Sequence, residues 1–276
     1  MKVLRAGLIG EHISRTRLPA ALQIMCDMAG WGLDFTLTDT AEQPDFDFAA
    51  TVDDLRAKGW TGVTATHPWK THAAEYAGAG MLPELRGLGA SNTLVFGDPL
   101  TGHNTDFTGF IGAWQANMTG APGRVAMAGA GGVARALGPA LAHLGASEIA
   151  IWDKREEVAQ SLVDLIGAKA RVVPFDQAAQ EANVADGLVN ATPLGMKEYP
   201  GSAFDKRLMG GQRWAFDVVY TPANTRFLQD AAAAGLTVLS GFDLFRHMAI
   251  GTFHAYTGIA LDAGDVLPKL EGLRPD

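Results

Sequence analysis

Lys70 and Asp106 each close a short polar motif, Thr64-Ala65-Thr66-His67-Pro68-Trp69-Lys70 and Gly102-His103-Asn104-Thr105-Asp106. A lysine amine ordinarily titrates near about 10.4, so it acts as a base only where its surroundings lower that value, and burial in a cleft does so. A neighbouring carboxylate favours the ammonium instead, yet it orients the amine and shares a hydroxyl proton. The pair reads as a proton relay serving an alcohol. The competing structural reading makes Lys70 a solvent-facing helix lysine and Asp106 the N-cap of a helix over Phe107–Trp114.

A second constellation lies further along the chain. Arg124–Ala128 reads as a strand, Gly129-Ala130-Gly131-Gly132 as a tight turn, the run holding Val133, Leu137, Leu141 and Leu144 as a helix, and Glu148–Trp152 as a strand ending at Asp153. Strand, glycine turn, helix, strand and acid is the order of a dinucleotide-binding βαβ unit. The glycines admit a pyrophosphate to the backbone N–H groups of the following helix. Arg135 and Ala136 occupy the region where a third glycine or alanine is read, so the pattern is incomplete. Asp153 accepts from a ribose hydroxyl and repels a 2′-phosphate, which favours NAD, with NADP as the alternative because Lys154 and Arg155 follow at once. A solvated charged turn is the competing reading of that triplet.

The elements that must position these groups alternate. Val3–Ile9, Leu33–Leu37 and Trp60–Thr66 read as strands, with Leu18–Ala29 as a helix among them, a parallel α/β pattern. Asn92–Phe96 and Gly102–Asn104 read as paired strands about the Gly97-Asp98-Pro99 turn. Ala121-Pro122-Gly123 marks a boundary, later strands are expected at Arg171–Val173, Gly187–Asn190, Trp214–Val218 and Thr237–Leu239, and the segment from Gly241 reads as helical. The expected division is 1–106, completed by 241–276, as an α/β substrate and catalytic domain with a parallel sheet. Residues 107–240 form a Rossmann-type NAD(P)-binding domain in this division.

Composition agrees with small-molecule chemistry. A formal charge of −8 argues against nonspecific nucleic-acid binding, which needs clustered cations. No apolar stretch approaches the roughly 20 residues of a membrane span, and the start reads as a first strand rather than a signal peptide. A single cysteine, Cys26, leaves no internal disulfide and points to the cytoplasm. Cys26 itself reads as core. His67, His103 and His247 lack ligand spacing, so no metal is expected.

Taken together the motifs resemble the shikimate/quinate dehydrogenase family across nearly the whole chain. Thr66-x-Pro68-x-Lys70, Gly89-Ala90-Ser91-Asn92-Thr93, Gly102-x-Asn104-Thr105-Asp106, Asn190-Ala191-Thr192-Pro193-Leu194-Gly195-Met196 and Asp217-Val218-Val219-Tyr220-x-Pro222 carry the likeness. The resemblance implies catalytic roles for Lys70 and Asp106 and substrate contacts for Thr66, Asn92 and Tyr220. It places Thr192, Gly195, Val218 and Gly241 along the nicotinamide side of the cofactor. Departures fall on the substrate side. Thr16-Arg17-Leu18-Pro19 stands for the family's Ser-x-Ser-Pro carboxylate motif, Thr64 for an Asn, and Met248 for a Gln, changes that alter specificity. Arg15 and Arg17 offer a substitute carboxylate grip, against the alternative that both face solvent.

The resulting expectation is hydride transfer between NAD(P) and a cyclic polyhydroxy carboxylate such as shikimate, quinate or a close analogue, in aromatic amino acid biosynthesis, by a monomer or homodimer. A noncatalytic nucleotide-sensing or ligand-binding protein on the same scaffold is the alternative.

Overall fold

The computed structural model describes residues 1–276. In chain order it comprises β1 (Val3–Gly10), α1 (Leu18–Ala29), β2 (Gly32–Asp39), α2 (Phe48–Ala57), β3 (Gly62–Ala65), α3 (Lys70–Ala77), β4 (Thr93–Val95), β5 (Thr101–His103) and α4 (Thr105–Asn117). There follow β6 (Arg124–Ala128), α5 (Ala134–His143), β7 (Glu148–Trp152), α6 (Glu156–Ile166), β8 (Ala170–Val172), α7 (Ala178–Val184), β9 (Gly187–Asn190), β10 (Trp214–Asp217), α8 (Arg226–Ala233), β11 (Thr237–Ser240), α9 (Gly241–Thr257) and α10 (Ala263–Leu270). Two compact units result, Met1–Thr105 with Met248–Leu273, and Asp106–His247 with Arg274–Asp276.

The first unit holds a sheet ordered β2-β1-β3-β4-β5, in which β1 pairs parallel with β2 and β3 while β4 and β5 add antiparallel strands. Every residue of β3 is buried, as expected of an interior strand covered on both faces. In α1 the buried residues Leu18, Ala21, Leu22, Met25 and Cys26 recur at helical spacing, so one stripe packs inward. Pro19 opens that helix and Gly30, in the left-handed region, ends it.

The second unit holds a wholly parallel sheet ordered β11-β10-β9-β6-β7-β8. Strand order reverses between β6 and β9, and it is at the carboxyl ends of the strands flanking such a reversal that doubly wound sheets bind ligands. On one face α4 seats Phe110 against Phe216 at 4.9 Å and Trp114 against Trp214 at 4.8 Å, both edge-on. The Trp214 indole N–H is satisfied by the Pro122 carbonyl at 3.0 Å.

Some expectations need correction. β3 is shorter than Trp60–Thr66 because Thr66 leaves the strand to turn toward α3, its carbonyl accepting from Trp69 N at 2.7 Å. Asp106 is not an N-cap: α4 begins at Thr105, which places Asp106 in the first turn. The third small residue of the glycine pattern is Ala134, not the Arg135-Ala136 position. It falls five residues after Gly129, is wholly buried and starts α5, so the motif has a small residue where helix and strand approach. Helix α2 was not anticipated, although Asp47 marks its start by accepting from Ala50 N at 2.9 Å. No helix is long and apolar enough to cross a membrane.

Candidate active site

In the first unit the polar residues gather where β1, β3 and β4 end or begin. Thr66 N donates to Ile9 O, Ala65 N to Asn92 O, and Ser91 N to Lys70 O at 2.8–2.9 Å. These main-chain bonds set Thr66, Lys70 and Asn92 near one another, with Lys70 half-buried as the first residue of α3. Asn92 is 2 % exposed. Its Oδ1 accepts from Thr105 N at 2.7 Å and its Nδ2 donates to Thr105 Oγ1 at 2.9 Å, an arrangement that locks the amide orientation.

The substituted positions behave differently from one another. Thr16 is half-buried, and its hydroxyl accepts from Leu18 N at 3.3 Å with its own proton still available to a ligand. Leu18 is 2 % exposed and belongs to the core. Arg15 is exposed and Arg17 half-buried, on either side of Thr16. Thr64 is turned into the interior, where its hydroxyl bonds the Tyr256 phenol at 2.7 Å, and burial pushes that phenol's pKa up. Met248 Sδ accepts from Thr252 Oγ1 at 3.5 Å, and Thr252 in turn bonds Thr105 at 2.9 Å. Met248, Thr252 and Tyr256 thus line one face of α9 at intervals of four. Thr252 and Tyr256 were missed in the sequence, and that spacing from Met248 was the available signal.

In the second unit Gly129 follows β6 and Asp153 follows β7. Gly129 N bonds Trp152 O at 2.8 Å, Ala130 N donates to Asp153 Oδ2 at 2.9 Å, and Arg155 N donates to Oδ1 at 3.0 Å. The acid therefore tethers the glycine turn and still has lone pairs for a further donor. Gly129 has φ +93°, and a Cβ there would lie 2.9 Å from the backbone of Ala191, so only glycine lets the β6 and β9 ends meet. Gly131 and Gly132 are exposed with open space before them. The N–H groups of Gly131, Gly132 and Val133 make no backbone hydrogen bond, and they precede α5. That donor set fits a dinucleotide pyrophosphate. Lys154 and Arg155 are exposed beside Asp153.

At the ends of β9 and β10 lie Thr192, Gly195, Val218 and Tyr220. Tyr220 stacks on Phe245 at 5.6 Å and 3°. Gly241 passes so close to Val218 that a Cβ would sit 2.2 Å from its carbonyl oxygen. Asp217, wholly buried, is pushed by desolvation from 3.8 to about 6, even though Thr225, Val219 N and Asn190 all donate to it. Between those values the folded chain keeps a proton that the unfolded chain has released. Unfolding free energy therefore falls as pH rises from about 4 to about 6, by on the order of 1–3 kcal/mol, and levels off above. Denaturant midpoints across that range check this, and Asp217→Asn is expected to flatten that part of the profile. An unchanged profile in the variant would remove the assignment.

A doubly wound parallel sheet, a glycine turn at its reversal point and an acid after the adjoining strand define a Rossmann-type dinucleotide-binding protein. A scan against protein-family models finds no match. Comparison with individual proteins does. A quinate/shikimate dehydrogenase (NAD(+)) of Corynebacterium efficiens is 35% identical over 272 residues, 93% of each chain. A shikimate dehydrogenase (NADP(+)) of an Arthrobacter species is 31% identical over 266 residues, covering 93% of this chain and 90% of that one. Among solved structures, quinate dehydrogenase from Corynebacterium glutamicum in complex with NAD superposes with a TM-score of 0.92 at 29% identity, covering 99% of this chain and 100% of that one. The chain belongs to the quinate/shikimate dehydrogenase family.

Proposed function

We propose that this protein is an NAD(P)-dependent dehydrogenase that interconverts a cyclic polyhydroxy carboxylate, of the quinate or shikimate kind, and its oxo form. The observation that carries the reading is the tethered glycine turn, Ala130 N to Asp153 Oδ2 at 2.9 Å, in a chain whose other unit gathers Thr66, Lys70 and Asn92. Gly129, Ala130, Gly131, Gly132 and Asp153 hold the dinucleotide, and Thr192, Gly195, Val218 and Gly241 line its nicotinamide end. Bound there, NAD(P) supplies the hydride acceptor for alcohol oxidation.

The chain's own residues orient the alcohol and handle its proton. Lys70 Nζ exchanges a proton with the reacting hydroxyl, and Asp106 holds that hydroxyl and the amine in register. Thr66, Asn92 and Tyr220 take further hydroxyl groups, Asn92 through the second Nδ2 proton that Thr105 leaves unused. Asp153 favours NAD through the ribose hydroxyls, whereas Lys154 and Arg155 supply the charge for a 2′-phosphate. A single buried cysteine, its thiol pushed up to about 11 by burial and by Asp27, suits a reducing cytoplasm.

With Leu18 given to the core, the carboxylate falls to Thr16 and to Arg15 or Arg17. Arg15→Ala or Arg17→Ala, whichever removes the gripping side chain, is expected to raise KM for quinate roughly tenfold or more, the scale of a lost charge-assisted bond, and to leave NADH affinity alone. Unchanged KM in both variants removes the arginine grip. The reading as a whole is tested by NAD(P)H formation across shikimate, quinate, aminoshikimate and related hydroxy acids, with NAD and NADP in parallel. Reduction with at least one member is expected, and cofactor binding without turnover across the panel would instead support a nucleotide sensor.

A further inference from the structure

We propose that Asp217 is a positioning residue, whose buried carboxylate clamps the loop after β9 to the loop after β10 and so sets the nicotinamide end of the cofactor site; this rests on the cofactor reading above. Asp217 and Asn190 are the last residues of neighbouring parallel strands and pair in register. Oδ1 of the carboxylate accepts from Asn190 Nδ2 at 2.9 Å and from Val219 N at 3.0 Å, and Oδ2 accepts from the Thr225 hydroxyl at 2.6 Å. Asn190 spends the rest of its amide on the other loop. Its Nδ2 also donates to Leu194 O at 2.9 Å, and its Oδ1 accepts from Thr192 N at 3.0 Å and from Thr192 Oγ1 at 2.6 Å.

One acid and one amide therefore fix Thr192 together with Leu194 and Val219, the neighbours of Gly195 and Val218. The surroundings are tight on every side. Gly195 packs so that a Cβ would lie 3.3 Å from Thr225 Cγ2, and the methyl of Thr192 lies where a Cβ on Gly129 would fall, 2.8 Å away. The clamp thus reaches from the pyrophosphate turn to the nicotinamide end. Asp217 makes no ion pair and is 0 % exposed, and a buried carboxylate without a cation is a costly means of joining two loops. What it provides is acceptor capacity on both oxygens, for Asn190 at the end of β9 and for Val219 and Thr225 beyond β10, which an amide supplies only in part and an apolar side chain not at all.

The test separates nicotinamide from adenosine recognition by titrating NADH and ADP-ribose, which lacks the nicotinamide, into wild-type, Asp217→Ala, Thr225→Val and Asp217→Asn proteins. Asp217→Ala is expected to weaken NADH on the order of tenfold, the scale of stranding buried donors, while ADP-ribose affinity is unchanged. Thr225→Val removes the Oδ2 partner together with the hydroxyl that caps α8 by accepting from Leu228 N at 3.3 Å, and it is expected to give a selective loss in the same direction, so the test survives if the alanine variant fails to fold. Asp217→Asn keeps an acceptor for Asn190 and Val219 but turns an amide N–H toward Thr225, and it is expected to show a selective loss smaller than that of Asp217→Ala. Equal losses for both ligands, or none for either, would overturn the proposal. Absence of NADH binding by the wild-type protein would overturn the cofactor reading, and the clamp with it.

Discussion

Lys70→Met is expected to lower kcat for the preferred alcohol by about 10²–10⁴-fold, the range of a lost general acid or base, with NADH affinity at its wild-type value. Methionine keeps an unbranched stem of similar length and removes only the amine. The main chain at this position does not depend on that amine: Lys70 opens α3, and its carbonyl accepts from Ser91 N at 2.8 Å. Thr66 and Asn92 should accordingly hold their places in the variant. Steady-state turnover, paired with NADH titration, separates the two effects. Turnover near the wild-type rate would remove Lys70 from the mechanism.

Gly129→Val is expected to raise the NADH Kd by on the order of 100-fold and to destabilise the fold by about 2 kcal/mol or more. The reason is local geometry. At φ +93° a branched side chain is strained, and its Cβ would lie 2.9 Å from the carbonyl carbon and oxygen of Ala191 and 2.8 Å from the Thr192 methyl. These neighbours are backbone and a packed methyl, so relief requires the ends of β6 and β9 to part. That movement displaces both the pyrophosphate turn and Thr192. Thermal unfolding and NADH titration of the variant check the two halves separately. Wild-type affinity would show that the glycine turn does not hold the cofactor.

Much of the fold was legible because period and punctuation agree. The α1 stripe from Leu18 to Cys26, the hairpin about Gly97-Asp98-Pro99, and the order of strand, glycine turn, helix, strand and acid from Arg124 to Asp153 all appear in the structure at their expected places. What was not legible depends on partners distant in sequence. Nothing near Thr64 indicates that its hydroxyl bonds Tyr256, 192 residues away. Nothing near Asn92 announces that Thr105, itself bonded to Thr252, fixes its amide. Asp217 was read only as the first letter of a motif, since the cost and the use of a buried carboxylate appear only once β9 and β10 lie side by side. The misplaced third position of the glycine pattern was a counting matter that the start of α5 at Ala134 resolves.

Hydride transfer itself admits a direct measurement. Quinate and shikimate deuterated at the reacting carbinol carbon would be incubated with the protein and NAD, and the reduced cofactor analysed by mass spectrometry. The expected result, with at least one of them, is NADH carrying one deuterium on its nicotinamide ring, formed by the wild-type protein and strongly diminished with Lys70→Met. No NADH from either alcohol, or NADH without the label, would contradict direct transfer between that carbon and the cofactor.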